Sequence, residues 1–248
     1  MKDFKLGIQL YTVREPLKDD FKGVLRELAK MGYQGMEFAG QYGDMEPAEL
    51  AAFLKEIGVS ACGMHVSLDS ILNSGDKNYQ YAKAIGCKHL ITSLCGNFIK
   101  DFDLLVGKCN EAGRVANAAG LAFAYHNHAQ EFETIDGKIA LDLFYDRTST
   151  ELVKAELDTY WIKRGGSDPV PYLTKYASRL PLIHLKDMDK TDGSFTEVGT
   201  GVLDLKGVLE VARTSAAGWV IYEQDVCKRP QLESAGISLK NIQAALKA

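Results

Sequence analysis

Four strand-like segments of this chain end on side chains of the kind that bind metals. They are FAYHNH (Phe123 to His128), AELDTYW (Ala155 to Trp161), LIHLKD (Leu182 to Asp187) and VIYEQD (Val220 to Asp225). Together they offer His126, His128, Asp158, His184 and Glu223. Nitrogen and carboxylate ligands converging from separate strands are what a catalytic divalent-metal site requires. Asp158, His184 and Glu223 share one strand parity and form the nucleus of such a site. His126 and His128 also share a parity, so one can complete the metal shell while the other contacts substrate. The mixed set suits Mn2+ first, with Co2+, Zn2+ and Mg2+ compatible and Ca2+ less so.

Further polar groups sit at other strand ends. Glu37 ends the second strand, where a buried carboxylate acts as acid or base or binds a sugar hydroxyl. His65 ends the third strand and is expected to touch substrate. Lys186 can orient substrate or stabilise an oxyanion; its plainer role is an ion pair with Glu156 or Asp187. Glu156 lies one layer deeper than Asp158 and reads as a structural partner for Lys154 or Lys186. Trp161 and Tyr11 can stack on a sugar ring or simply pack. The glycines of Gly165-Gly166 and Gly199-Thr200-Gly201 permit tight turns and could bring backbone N–H groups to a substrate. No P-loop or nucleophile elbow is present.

The elements that must position these residues alternate regularly. Strand-length apolar runs are expected at Lys5–Thr12, Tyr33–Ala39, Ser60–Val66, His89–Leu94, Ala122–His126, Val153–Asp158, Leu182–Lys186 and Trp219–Glu223. Between them run helical periods such as Phe21, Val24, Leu25 and Leu28, or Leu105, Cys109, Ala112 and Ala116. Gly32, Gly58, Gly86 and Gly120 stand where helix C-caps belong, and Asp168-Pro169 reads as an N-cap followed by proline at the first helical position. Eight βα units over 248 residues predict one (β/α)8 TIM barrel spanning residues 1–248. A doubly wound sheet is the runner-up, but no GxGxxG follows the first strand.

Strand parity supports the barrel. One parity is apolar: Ile8, Met36 and Phe38, Met64, Phe123 and Tyr125, Ala155 and Leu157, Ile183 and Leu185, Val220 and Tyr222. The other carries Gln9, Glu37, His65, His126, Glu156, Asp158, His184, Lys186, Glu223 and Asp225. The first set should pack under the helices. The second should face the interior, with its polar members at the C-terminal strand ends where such barrels place their active sites.

Composition narrows the function classes. The net charge of −4 offers no basic field for nucleic acid or an anionic membrane. The opening Met1-Lys2-Asp3-Phe4-Lys5 has no apolar signal core, and no run reaches membrane length. The five cysteines lack CxxC spacing and read as reduced thiols of a cytoplasmic protein. A small-molecule partner is expected; the oligomeric state is left open.

The segments ELDTYW, IHLKDM, EVGTGVLD and YEQD resemble the sugar phosphate isomerase/epimerase family. These are xylose isomerase-like TIM barrels that include ketose 3-epimerases, inosose dehydratase and endonuclease IV. The resemblance covers essentially the whole chain. It implies one divalent metal held by His126, Asp158, His184 and Glu223. It also implies a sugar or keto-sugar substrate that loses the proton next to its carbonyl to give an enediolate, with Glu223, Glu37 or His128 handling protons. The epimerases and isomerases usually carry Glu where His126 stands, and their two glutamates work on opposite faces of the enediolate. A metal-bound imidazole has no lone pair left for that work. His128 or Glu37 could stand in as the second base, and on that footing an isomerase or epimerase is the expectation. The alternatives are a dehydratase or lyase of the inosose dehydratase or 3-keto-glycoside type and, more remotely, a non-catalytic sugar-binding barrel. The multi-metal nuclease chemistry of endonuclease IV fits neither the five histidines nor the acidic charge.

Overall fold

A computed structural model describes residues 3–247. Eight parallel strands close into a barrel: β1 Lys5–Gln9, β2 Gly35–Phe38, β3 Ser60–His65, β4 His89–Thr92, β5 Ala122–His126, β6 Val153–Asp158, β7 Leu182–Leu185 and β8 Trp219–Tyr222. Each strand pairs with its sequence neighbours, and β1 closes the ring against β8. This is the (β/α)8 barrel expected from the alternation. Two short antiparallel pairs in βα loops, Thr134–Ile135 with Lys138–Ile139 and Asp187–Met188 with Phe195–Thr196, were not foreseen. No helix among the described residues is long and apolar enough to cross a membrane.

The barrel has the two layers that parity required. Ile8, Met36, Phe38, Met64, Phe123, Tyr125, Ala155, Leu157, Ile183, Leu185, Val220 and Tyr222 all join the large core between sheet and helices. Inside the barrel, Cys62, Ile91, Ala124, Leu182 and Ile221 form a small second cluster with Trp219 against it. That cluster floors the interior, so the polar groups one layer above are cut off from solvent below.

Several strands end earlier than their apolar runs. β1 stops at Gln9 because its side-chain carbonyl accepts the Tyr11 N–H at 3.1 Å and starts a 3-10 turn over Leu10–Val13. Tyr11 therefore lies in a turn at the barrel mouth, not on the strand. β7 stops at Leu185, where the Thr159 hydroxyl accepts the Lys186 N–H at 3.0 Å and donates to the Lys186 carbonyl at 2.7 Å. The four predicted helix-end glycines all adopt positive φ, and Asp168 caps the helix Pro169–Lys175 through the Val170 N–H. All five cysteines are free thiols.

Register sets the site. His126 pairs with Glu156, Asp158 with His184, and Gln9 with Glu37. Between β2 and β3 the register shifts at Met36/Glu37, so Glu37 meets Gly63. A Cβ on Gly63 would overlap the Glu37 carboxylate and the Ile91 side chain. Glycine is what lets a carboxylate stand inside the barrel at this level.

Candidate metal centre and active site

The interior polar residues form two nested groups at the C-terminal end of the barrel. His126, Asp158, His184 and Glu223 bring four ligand atoms within 4.8 Å of one another. His65, His126, Glu156 and His184 form a second such group. The groups share two histidines, each turning a different ring nitrogen to each group. His126 Nε2 lies 3.9 Å from Asp158 Oδ2, while its Nδ1 lies 3.0 Å from Glu156 Oε1. His184 Nδ1 lies 2.9 Å from Glu223 Oε2 and 3.9 Å from Asp158 Oδ2, while its Nε2 contacts Glu37 Oε2 and Glu156 Oε1.

This is the pattern of a metal shell with an orienting carboxylate behind each imidazole. A ligating histidine typically gives its other ring N–H to a carboxylate, which fixes ring direction and tautomer. The residues fit a divalent ion on observations independent of any relative. Asp158 Oδ1 accepts the Trp161 N–H at 3.0 Å, and its buried Oδ2 has no hydrogen bond but faces the Lys186 ammonium at 3.2 Å. The neighbouring donors are imidazole nitrogens and a second carboxylate, a mixed N/O set. Asn127 holds the site from behind, its Oδ1 accepting the Asp158 N–H at 3.0 Å.

Burial and mutual charge set the protonation states. Burial first, and then the charge of His184, pushes His126 well below its ordinary range, so its imidazole is neutral. Burial opposes protonation of His184 as well, but without an ion the negative charges of Glu156 and Glu37 win and raise it well above, so a metal would bind here by displacing that proton. His65 is likewise driven up to about 10 against its burial, by Glu37 and Glu156. Burial and the nearby Glu37 raise Glu156 to about 7. Burial works against ionisation of Glu223, yet the Lys186 ammonium and His184 hold it far below the usual carboxylate range. Burial and the Lys186 charge push His128 down to about 4.

Above these groups opens a cavity of ≈ 500 Å³, lined among others by Tyr11, His65, His128, Trp161, Lys186 and Glu223. Such a volume suits a small polar molecule. His128 packs against Trp161 with ring centroids 5.0 Å apart, and its Nδ1 is buried without a hydrogen-bond partner. Lys186 Nζ sits 5.5 Å from the Trp161 ring centroid. Both His126 and His128 line the cavity, but only His126 belongs to the ligand groups.

Four expectations need correction. Glu37 does not reach the cavity: it is fully buried beneath it, held by Gln9 Nε2 at 2.9 Å, His65 and His184. Glu156 pairs with neither lysine but with His65, His126 and His184, because its strand position points it at the barrel axis. Lys154 turns outward and donates to the Thr150 carbonyl. Lys186 pairs with Asp158, Glu223 and Asp225 rather than with Glu156 or Asp187. The amides of Gly199 and Gly201 serve Asp187, whose carboxylate also accepts the N–H of Leu203 and Met188, so they are not presented to a ligand. Gly165 packs its backbone against Phe132. Gln9, Glu156 and Asp225 were on the interior parity already, and only their partners were missing; nothing in the sequence marked Asn127.

Residues 25–244 match the family model described as Xylose isomerase-like TIM barrel. The chain belongs to that family. Among curated proteins it is similar to the inosose dehydratase of Salmonella typhimurium, at 26% identity over 300 residues covering 99% of this chain and 97% of that one. Among solved structures it superposes on a sugar phosphate isomerase/epimerase from Parabacteroides distasonis with a TM-score of 0.83, at 22% identity and 98% coverage of both chains. The IOLI protein, solved with a bound zinc atom, superposes with a TM-score of 0.76 at 16% identity, covering 98% of each chain. Both superpositions establish the fold.

Proposed function

We propose that the protein is a divalent-metal-dependent dehydratase acting on an inosose or a similar keto-sugar. The observation that carries this reading is the division of labour among the site histidines. His126 stands in the ligand group, and His128 stands outside it at the cavity wall, packed on Trp161 with its Nδ1 buried and without a hydrogen-bond partner. Similarity to inosose dehydratase along almost the full chain supports the same reaction, and the zinc of a structural neighbour supports a divalent ion.

His126, Asp158, His184 and Glu223 would hold the ion. When bound, it supplies Lewis-acid polarisation of the substrate carbonyl and its neighbouring hydroxyl. The chain's own residues do the rest. The Trp161 face and Tyr11 flank the ring, and His65 and Lys186 donate to substrate oxygens. Neutral His128 takes the proton from the carbon next to the carbonyl, leaving that bond's electrons in an enediolate. Collapse of the enediolate expels the hydroxyl on the next carbon, and His128 returns its proton to that oxygen as water leaves. One base is enough for this cycle. An epimerase or isomerase needs proton transfer at two positions or faces, and the glutamate that usually supplies the second base is His126 here. Glu37, buried under the cavity, is assigned to positioning His184 and His65.

The free thiols and the substrate class are in keeping with a cytoplasmic enzyme. The test is incubation of the purified enzyme with an inosose and Mn2+, followed by mass analysis. A product lighter by one water, abolished by a chelator and restored by metal, is the expected result. Turnover to an isomer of unchanged mass would contradict the dehydratase assignment.

A further inference from the structure

Lys186 is the buried charge whose partners overlap the ligand group most closely. Its Nζ lies 2.8 Å from Glu223 Oε2 and 3.2 Å from Asp158 Oδ2. Those oxygens also face His184 Nδ1, so the ammonium approaches the ligand cage from its cavity side. The same Nζ is bonded to Asp225, at 3.0 Å from Oδ1 and 3.3 Å from Oδ2. Asp225 has no place in the ligand group, and its side chain is 21% exposed at the cavity wall. Lys186 itself is 2% exposed and lies against the faces of Trp161 and Phe195, so the reach of its ammonium is short.

Two cations cannot both be satisfied by the same carboxylate oxygens at these distances, because their repulsion in a partly dry site is large. We propose that Lys186 and the divalent metal compete for Asp158 and Glu223, with Asp225 receiving the ammonium when the metal binds. Lys186 then has two roles. It keeps the carboxylates gathered and neutralised, at the cost of metal affinity. Once held by Asp225 alone, it stands at the cavity with a donor left for a substrate oxygen. This inference rests on the metal reading of the site given above.

The test is Mn2+ affinity, measured by competition with a chromophoric chelator and without substrate. K186M is expected to bind Mn2+ at least tenfold more tightly than the parent, and K186R about as the parent does. D225N is expected to bind several-fold more weakly in the parent and to lose that effect in K186M. A general field effect of Asp225 would weaken both backgrounds equally and would overturn the exchange. Thermal unfolding in chelator should show K186M less stable than the parent, with Mn2+ restoring it; packing damage alone would not be restored. If the parent binds Mn2+ and folded K186M binds no more tightly, the competition is wrong and the metal site stands. If K186M does not fold, unchanged affinity of D225N overturns the proposal. If neither parent nor variants bind a divalent ion, both this inference and the metal reading fall.

Discussion

At the residue scale, the site works by giving each imidazole one task. His184 and His126 turn one nitrogen to the ligand cage and the other to a carboxylate, whereas His65 is held by Glu37 and Glu156 at the cavity wall. The Nδ1 of His128 is buried without a hydrogen-bond partner. Replacing His128 with Asn should therefore leave fold and metal affinity close to the parent values while lowering kcat by about 10²–10⁴, the range expected for loss of a general acid–base group. Steady-state kinetics alongside a metal-binding curve checks this. Retention of full kcat by H128N would move the proton transfer to another group, with Glu223 first in line.

At the element scale, the eight strands, their order of succession and their inward parity were legible in the sequence, because apolar and polar residues alternate with period 2 on seven of them. The clustering of Asp158, His184 and Glu223 was legible for the same reason: they are strand-end residues of one parity. What was not legible is how neighbouring strands are staggered. The pairing of His126 with Glu156, and the shift that sets Glu37 against Gly63, decide that Glu37 and Glu156 stand behind the histidines. Those staggers come from hydrogen-bond register around a closed barrel, which local periodicity does not encode. The loop Glu197–Asp204 teaches the same point. Its glycines read as ligand-binding amides, yet they wrap the Asp187 carboxylate, which accepts four backbone N–H groups. Asp187→Ala would leave those donors without their charged acceptor and should lower unfolding free energy by about 2–3 kcal/mol. Urea titration measures it, and a change below about 0.5 kcal/mol would mean that the loop is held by other contacts.

At the scale of the whole molecule, the barrel spends stability on its active end. Five carboxylates, Glu37, Glu156, Asp158, Glu223 and Asp225, crowd one end of the barrel around three histidines and Lys186. The apolar floor of Cys62, Ile91, Ala124, Leu182 and Ile221 gives them no solvent beneath. A ligand that binds only the folded state adds stability by mass action, about 2.7 kcal/mol at a hundredfold excess over Kd. For a chain of this size that corresponds to roughly 5–10 °C in Tm. Mn2+ added to chelator-stripped protein should therefore raise Tm by that amount, and His184→Ala should lose most of the shift. An equal shift in H184A would place the ion elsewhere.

In the proposed dehydration, the proton removed next to the carbonyl leaves with a neighbouring hydroxyl instead of returning to carbon. Proton NMR in D2O, following an inosose with enzyme and Mn2+, reads this directly. The α-proton signal should disappear in step with the signal of the proton on the adjacent hydroxyl-bearing carbon, while an unsaturated or diketone product grows, all stopped by chelator. Accumulation of an isomer carrying deuterium at the α-carbon, with every hydroxyl-bearing carbon retained, would contradict it and identify the enzyme as an epimerase or isomerase.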